Sequence, residues 1–283
     1  MLVPLAGGGQ ETLLSEVGFV LLPLFTTRDA CALRLVCREF LAAVREHPWE
    51  DRGTVIQGSI AAWRACFPHA RCANVQQRAL GFGPNKRTIP VVDADFVHFE
   101  GLRELYMGSC VGITDAAFVH LRGIHTLDMS WCDQHTITDA AFAHLAGIQR
   151  LSMWACSQPT ITDGAFAHLR GIQLLNIGLC RQLTDAAFAH LRGIHTLLML
   201  HCDQPAITDA AFVHLRGVHT LVMENCAQAT ISGASFSFLI KGVRALGMYG
   251  CSAAAIAVAQ SLGLLVHLGQ GQWGKHLLSY TLA

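Results

Sequence analysis

Eleven cysteines and fifteen histidines in 283 residues are ample material for metal binding, redox chemistry or nucleophilic catalysis, so their spacing decides what they do. A zinc site draws its ligands together because every nitrogen and sulfur must lie within ~2.0–2.3 Å of one ion. Here seven cysteines, Cys110, Cys132, Cys156, Cys180, Cys202, Cys226 and Cys251, recur singly, 22 to 25 residues apart. His98, His120, His144, His168, His190 and His214 keep the same beat. Side chains spaced this way belong to successive copies of one unit. The cysteines then read as small buried hydrophobes with a weak donor. The histidines read as exposed or half-exposed residues on separate helices, too widely spaced to share an ion. Cys31 and Cys37, and Cys66 and Cys72, stand six apart with no accompanying ligand pattern. Ser, His and Asp recur in every unit, whereas an active site is built once. The glycines of "AGGGQ" near the start lack the Lys-Ser/Thr of a phosphate loop. No catalytic residue, metal site or cofactor is expected, and the chain does not read as an enzyme.

The elements that carry these rows emerge when the chain is aligned on glycine. Units begin at Gly101, Gly123, Gly147, Gly171, Gly193, Gly217 and Gly242, and "GIHTLDMSWCDQHTITDAAFAHLA" (123–146) is typical. Length changes fall in the loop after the cysteine, so the two halves of the unit are separate elements. In the first half Leu127 and Met129 alternate with Thr126, Asp128 and Ser130, the period of a half-buried strand. The second half, "TDAAFAHLRG", predicts a short helix with Thr184 or Asp185 at its N-cap. Phe188 and Leu191 point inward from it, and Gly193 is placed for the left-handed conformation that ends helices. A strand and one short helix cannot bury their apolar faces alone, but stacked copies build a continuous core. A parallel sheet is expected on the inside of an arc, with the helices outside.

This pattern resembles cysteine-containing leucine-rich repeats, with leucine-x-hydrophobic-x-x-cysteine followed by "ITD". Phenylalanine (Phe118, Phe142, Phe166, Phe188, Phe212, Phe236) replaces the usual helix leucine. Weaker units flank the clear repeats of 101–251: Asp93, Phe96, His98 and Phe99 match one, and Phe67–Val75 supplies an irregular first strand. The repeat domain is expected over 55–270, between a flexible N-terminus (1–10), a helical block (11–52) and a C-terminal tail (271–283).

The helical block does not fit the repeat. Asp29 is expected to cap a helix carrying Leu33, Val36, Phe40 and Val44 on one face. "LVCREF" at 35–40 and "HPW" at 47–49 resemble the second half of an F-box, and "LLSEV" at 13–17 resembles its opening, with Leu14 where proline is usual. The overall resemblance is to F-box proteins with leucine-rich repeats. It implies a substrate receptor of an SCF-type cullin ubiquitin ligase, with Leu13, Leu14, Val17, Leu21, Leu24, Leu35 and Val36 holding a Skp-type adaptor. The alternative is a protein-binding scaffold whose helical block only caps the solenoid.

Twenty basic residues balance twenty acidic ones without runs of like charge, so nucleic acid is not an expected partner. Residues 245–274 lack Asp, Glu, Lys and Arg, but Ser252, Gln260, Ser261, His267 and several glycines mark a buried repeat and not a membrane span. An odd cysteine count without a leader-like start suggests reduced thiols in cytoplasm or nucleus.

The units also form an internal comparison. Counting from the residue after each glycine, positions one, four, six and nine stay apolar or Cys, while five, seven and eight vary. Position five includes Tyr106, Asp128, Ser152, Asn176 and Leu198; position seven includes Ser130, Trp154, Leu200, Glu224 and Tyr249; position eight includes Trp131, Leu179 and His201. Alternation places five and seven on the exposed inner face. The outer His and Arg rows, equally free to drift, vary less. These thirteen residues are therefore the expected target-binding face, with Tyr106, Trp131, Trp154 and Tyr249 as aromatic anchors. Leu174, Leu179, Leu198 and Leu200 would form its apolar centre. The face carries few cations, which favours a protein or peptide target of unknown identity.

Overall fold

The computed structural model of the chain describes residues 21–76 and 90–269. Leu13, Leu14 and Val17 lie outside the described residues, as do segments 1–10 and 271–283.

Nine strands in chain order make one parallel sheet: β1 (Cys72–Asn74), β2 (Glu104–Tyr106), β3 (Thr126–Asp128), β4 (Arg150–Ser152), β5 (Leu174–Asn176), β6 (Thr196–Leu198), β7 (Thr220–Val222), β8 (Ala245–Gly247) and β9 (Val266–His267). Their register is fixed by the repeat, so Leu105, Leu127, Leu151, Leu175, Leu197, Leu221 and Leu246 stand side by side. The repeat phenylalanines are fully buried beneath the sheet in one continuous core. The expected α/β solenoid, parallel strands with short helices, is the observed architecture.

Each unit's helix is a single turn. Thr114, Thr138, Thr184 and Thr208 are the N-caps, each accepting the N–H two residues on. The unit with Gly164 in place of alanine forms a 3-10 turn instead, as the lower helix propensity of glycine favours. Gly193 closes its unit at φ 82°, in the left-handed region.

The aspartate after each threonine does more than favour the helix dipole. Asp115 accepts the Thr138 N–H and Oγ1–H, both at 2.7 Å, and Asp163 holds Thr184 likewise at 2.9 and 2.6 Å. The pattern runs from Asp93 to Asp209, stapling each unit to the next as far as the one beginning at Gly217. A parallel row of thiols donates backwards, Cys156 Sγ to the Met129 carbonyl at 3.1 Å and Cys226 Sγ to that of Met199 at 3.0 Å. Burial pushes these thiols up, Cys110 to about 12, so they stay protonated donors. The described cysteines form no disulfide.

The charge-free C-terminal segment supplies β8, the helix Ala253–Ser261 and β9, and among the described residues no helix is long and apolar enough to cross a membrane.

The helical block departs from expectation. Instead of one helix through Leu33, Val36, Phe40 and Val44, helices Thr27–Leu33 and Arg38–Glu46 are separated by a break that leaves Val36 67% exposed. A straight helix would hold Ala30 and Val44 ~21 Å apart. The break folds both into one small core with Leu22, Trp49, Phe67 and Ala70, where the Trp49 indole N–H reaches the Val44 carbonyl at 2.8 Å. Thr26 is the N-cap, and Asp29 completes a capping box from the third helical position. A third helix, Ile60–Cys66, joins this block to β1.

Candidate binding face

Position five does not lie open. Tyr106, Asp128, Ser152, Asn176 and Leu198 are 1–7% exposed, which corrects the expectation of an exposed row. They are nevertheless not part of the main core; Leu198 and Val222 form a separate cluster against Leu200. Strand alternation gives their direction correctly. What it omits is that equivalent residues on paired strands stand only ~4.8 Å apart, so each inner side chain is covered by its neighbours.

From β2 to β5 this floor is polar and satisfies itself. The Tyr106 hydroxyl donates to Glu104 at 3.1 Å, and Glu104 accepts from Nε and Nη2 of Arg52 at 2.6 and 2.7 Å. Asp128 accepts the Ser130 N–H at 2.9 Å, the Ser130 hydroxyl and the Gln76 amide at 3.0 Å. Ser130 and Ser152 share a hydrogen bond of 2.9 Å, and Asn176 accepts from the Gly178 N–H at 3.1 Å. Burial pushes the Asp128 carboxyl up while the Ser130 and Gln76 donors pull it back.

The floor then changes character. Leu198, Leu200 and Val222 are followed by Glu224, which is 4% exposed and whose Oε1 finds no hydrogen-bond partner. Desolvation raises its carboxyl, with the nearby His201 imidazole opposing.

Position seven forms the next layer. The Trp154 indole lies across Gly178, where any Cβ would enter the ring, and stands perpendicular to the His201 imidazole with ring centroids 6.4 Å apart. Ser130, Trp154, Leu200 and Tyr249 are partly exposed, while Glu224 is buried.

Position eight holds a feature absent from the sequence reading. Ser109, Trp131, Ala155, Leu179, His201 and Asn225 all adopt left-handed φ of 56–64°, and Gly250 follows at 70°. Each is the third residue of a tight turn, as in Met129–Cys132, where the Cys132 N–H returns to Met129 at 3.1 Å. Its own N–H continues the sheet ladder; Trp131 donates to the Trp154 carbonyl at 2.7 Å and His201 to that of Glu224 at 2.8 Å. The two constraints hold a conformation that costs a non-glycine residue roughly 1–2 kcal/mol. Turns of this kind favour Gly or Asn, yet Trp, Leu and His occupy them. Trp131 is thereby presented 44% exposed.

The expectation of few cations needs amendment at one edge. Arg71, Arg103, His125 and Arg150 line a cleft of about 290 Å³ with Glu50 and Glu104 at the start of the first strands. Pairing of Arg71 with Glu50 at 3.5 Å and of Arg52 with Glu104 offsets much of that charge. In the sequence its signal lies at positions two and three of the early units, Arg103, His125 and Arg150. Among the described residues, no group of three or more His, Cys, Asp or Glu stands together as a metal site.

Of the residues expected to hold an adaptor, Leu21, Leu24, Leu35 and Val36 are 41%, 78%, 80% and 67% exposed.

No family model and no curated protein matches the sequence. Among solved structures, the TLR13–ssRNA13 complex has a similar chain, at TM-score 0.55 and 16% identity over 84% of this chain and 37% of that one. The Toll–Spatzle complex of Drosophila (TM-score 0.43, 11% identity, 68% and 31% covered) and the Rad7–Elc1 complex of yeast (0.41, 16%, 51% and 42%) are more distant. The chain spans less than half the length of each. The TLR13 likeness, with the nine-stranded parallel sheet, establishes the fold: a leucine-rich-repeat solenoid.

Proposed function

We propose that this chain is a non-catalytic substrate receptor of an SCF-type cullin ubiquitin ligase, working in cytoplasm or nucleus. In this reading the helical block binds a Skp-type adaptor and the inner face of the repeats binds a target protein. The observation that carries the adaptor half is the exposed apolar surface of Leu21, Leu24, Leu35 and Val36 on a block with a core of its own. Large apolar side chains held in water in this way favour a partner that covers them. The target half rests on position eight, where bulky side chains persist in a strained turn. Trp131, Trp154, Leu179, Leu200, His201 and Tyr249 are its accessible members, with Tyr106, Asp128, Ser152, Asn176 and Leu198 shaping the floor.

The second reading, a scaffold with a helical cap, draws on different contacts. The Trp49 carbonyl accepts the Arg71 and Cys72 N–H groups at 2.8 and 3.2 Å, and Val55 bridges to Asn74. The block thus closes the open edge of β1, as a cap would.

A pull-down with a purified Skp-type adaptor separates the two. The full chain is expected to retain the adaptor, and the pair Leu35→Glu and Val36→Glu to lose it with the fold intact by circular dichroism. Failure of the wild-type chain to bind leaves only the scaffold.

A further inference from the structure

Resting on the target-face reading, we infer that the C-terminal half of this face contains a seat for a basic side chain, Lys or Arg, of the bound protein, centred on Glu224.

Glu224 occupies position seven of its unit, between Leu200 on β6's continuation and Tyr249 on β8's, in the register of the paired strands. Val222 lies two residues before it on the same side, fully buried. Apolar neighbours on this scale strip the carboxylate of water, and with 4% exposure Oε1 gains no donor in exchange. An ionised carboxylate in such surroundings is costly unless a cation or hydrogen-bond donors reach it. No nearby group donates a hydrogen bond to Oε1: the His201 imidazole stands perpendicular to the Trp154 ring and lies 3.4 Å from the Asn225 amide.

The rim suits a cation as well as the floor does. Tyr249, beside Glu224 in the register, offers an aromatic ring, which attracts ammonium and guanidinium groups. The alkyl stem of Lys or Arg would lie along Leu200, while its charged end meets the carboxylate. An acidic or neutral side chain of the same length would leave the carboxylate unpaired.

The test uses the full chain against arrayed peptides of one length and otherwise random sequence, whose central residue is Arg, Lys, citrulline, Leu or Glu. Arg- and Lys-centred peptides are expected to bind about tenfold more tightly than citrulline-centred ones, a difference of about 1.4 kcal/mol. Glu224→Gln should erase that preference without changing the circular dichroism spectrum. Binding that depends on Trp154 but ignores the central residue, or a preference that survives Glu224→Gln, overturns the cation seat and leaves the target face standing. Absence of binding by every peptide overturns both.

Discussion

Asp128 on β3 and Glu224 beyond β7 are both buried carboxylates on the inner face of one sheet, built from copies of the same unit. Asp128 sits among donors from Ser130 and Gln76, one from its own turn and one from a preceding segment. Glu224 sits between leucine and tyrosine with an oxygen unpaired. The repeat gives their units the same backbone, but Asp128 stands at position five and Glu224 at position seven, so the contrast comes from place within the unit as well as from the side chains around each. Where neighbours are polar, the face closes into a self-satisfied network that fixes shape. Where they are apolar, a charge is left for something else to satisfy.

Four substitutions bear on that contrast. The largest effect is expected from Asp128→Ala, which leaves the Ser130 and Gln76 donors without their acceptor. Stability measured by urea denaturation should fall by about 2–3 kcal/mol. A loss comparable to an exposed surface change would mean that the network is not structural.

Glu224→Gln should act in the opposite direction. The folded-state carboxyl of Glu224 is raised, so wild-type stability is lost as pH rises through that raised value and is retained below the ordinary carboxylate range. The variant lacks this loss. Its melting temperature should exceed wild type at neutral pH by ~2–4 °C, corresponding to about 1 kcal/mol, and the advantage should vanish on acidification. His201, Tyr249 and Cys251, the titratable groups beside it, are present in both chains. A variant less stable than wild type at neutral pH would mean that Glu224 is already paired.

The smallest effect is expected from Ala155→Gly, which relieves a left-handed alanine and should stabilise by about 0.5–1 kcal/mol. Trp131→Gly provides the functional counterpart: the fold should hold or gain slightly while target capture is lost. Capture that survives would remove the turn row from the binding face.

The sequence reveals the repeat, the strand and helix halves, the N-caps, the buried cysteines and phenylalanines and the terminating glycines, because each depends on spacing within one unit. It conceals what depends on neighbouring units. Position five is inward by alternation, but its burial comes from side-by-side stacking that no single unit displays. The left-handed turn is hidden because Trp131, Leu179 and His201 are residues that seldom adopt it. Asp115 and its equivalents satisfy a helix-start rule locally, which masks their bond to the next threonine. In the helical block, the apolar spacing of Leu33, Val36, Phe40 and Val44 continues through a break imposed by packing on Trp49. Legibility stops where a residue's environment is supplied by a distant segment.

The aspartate–threonine staples have a consequence for how such a chain can change length. Each staple asks only that the following unit present a threonine or serine N-cap, and each unit from Gly101 to Gly193 offers an aspartate to the one after. Removal of residues 147–170 would join Ala146 to Gly171 and let Asp139 meet Thr184 in place of Thr162. Duplication of the same stretch would work in reverse. Within the stapled units the chain can therefore be lengthened or shortened by whole units without inventing a new joint, and the inner face is rewritten each time by whichever side chains become neighbours.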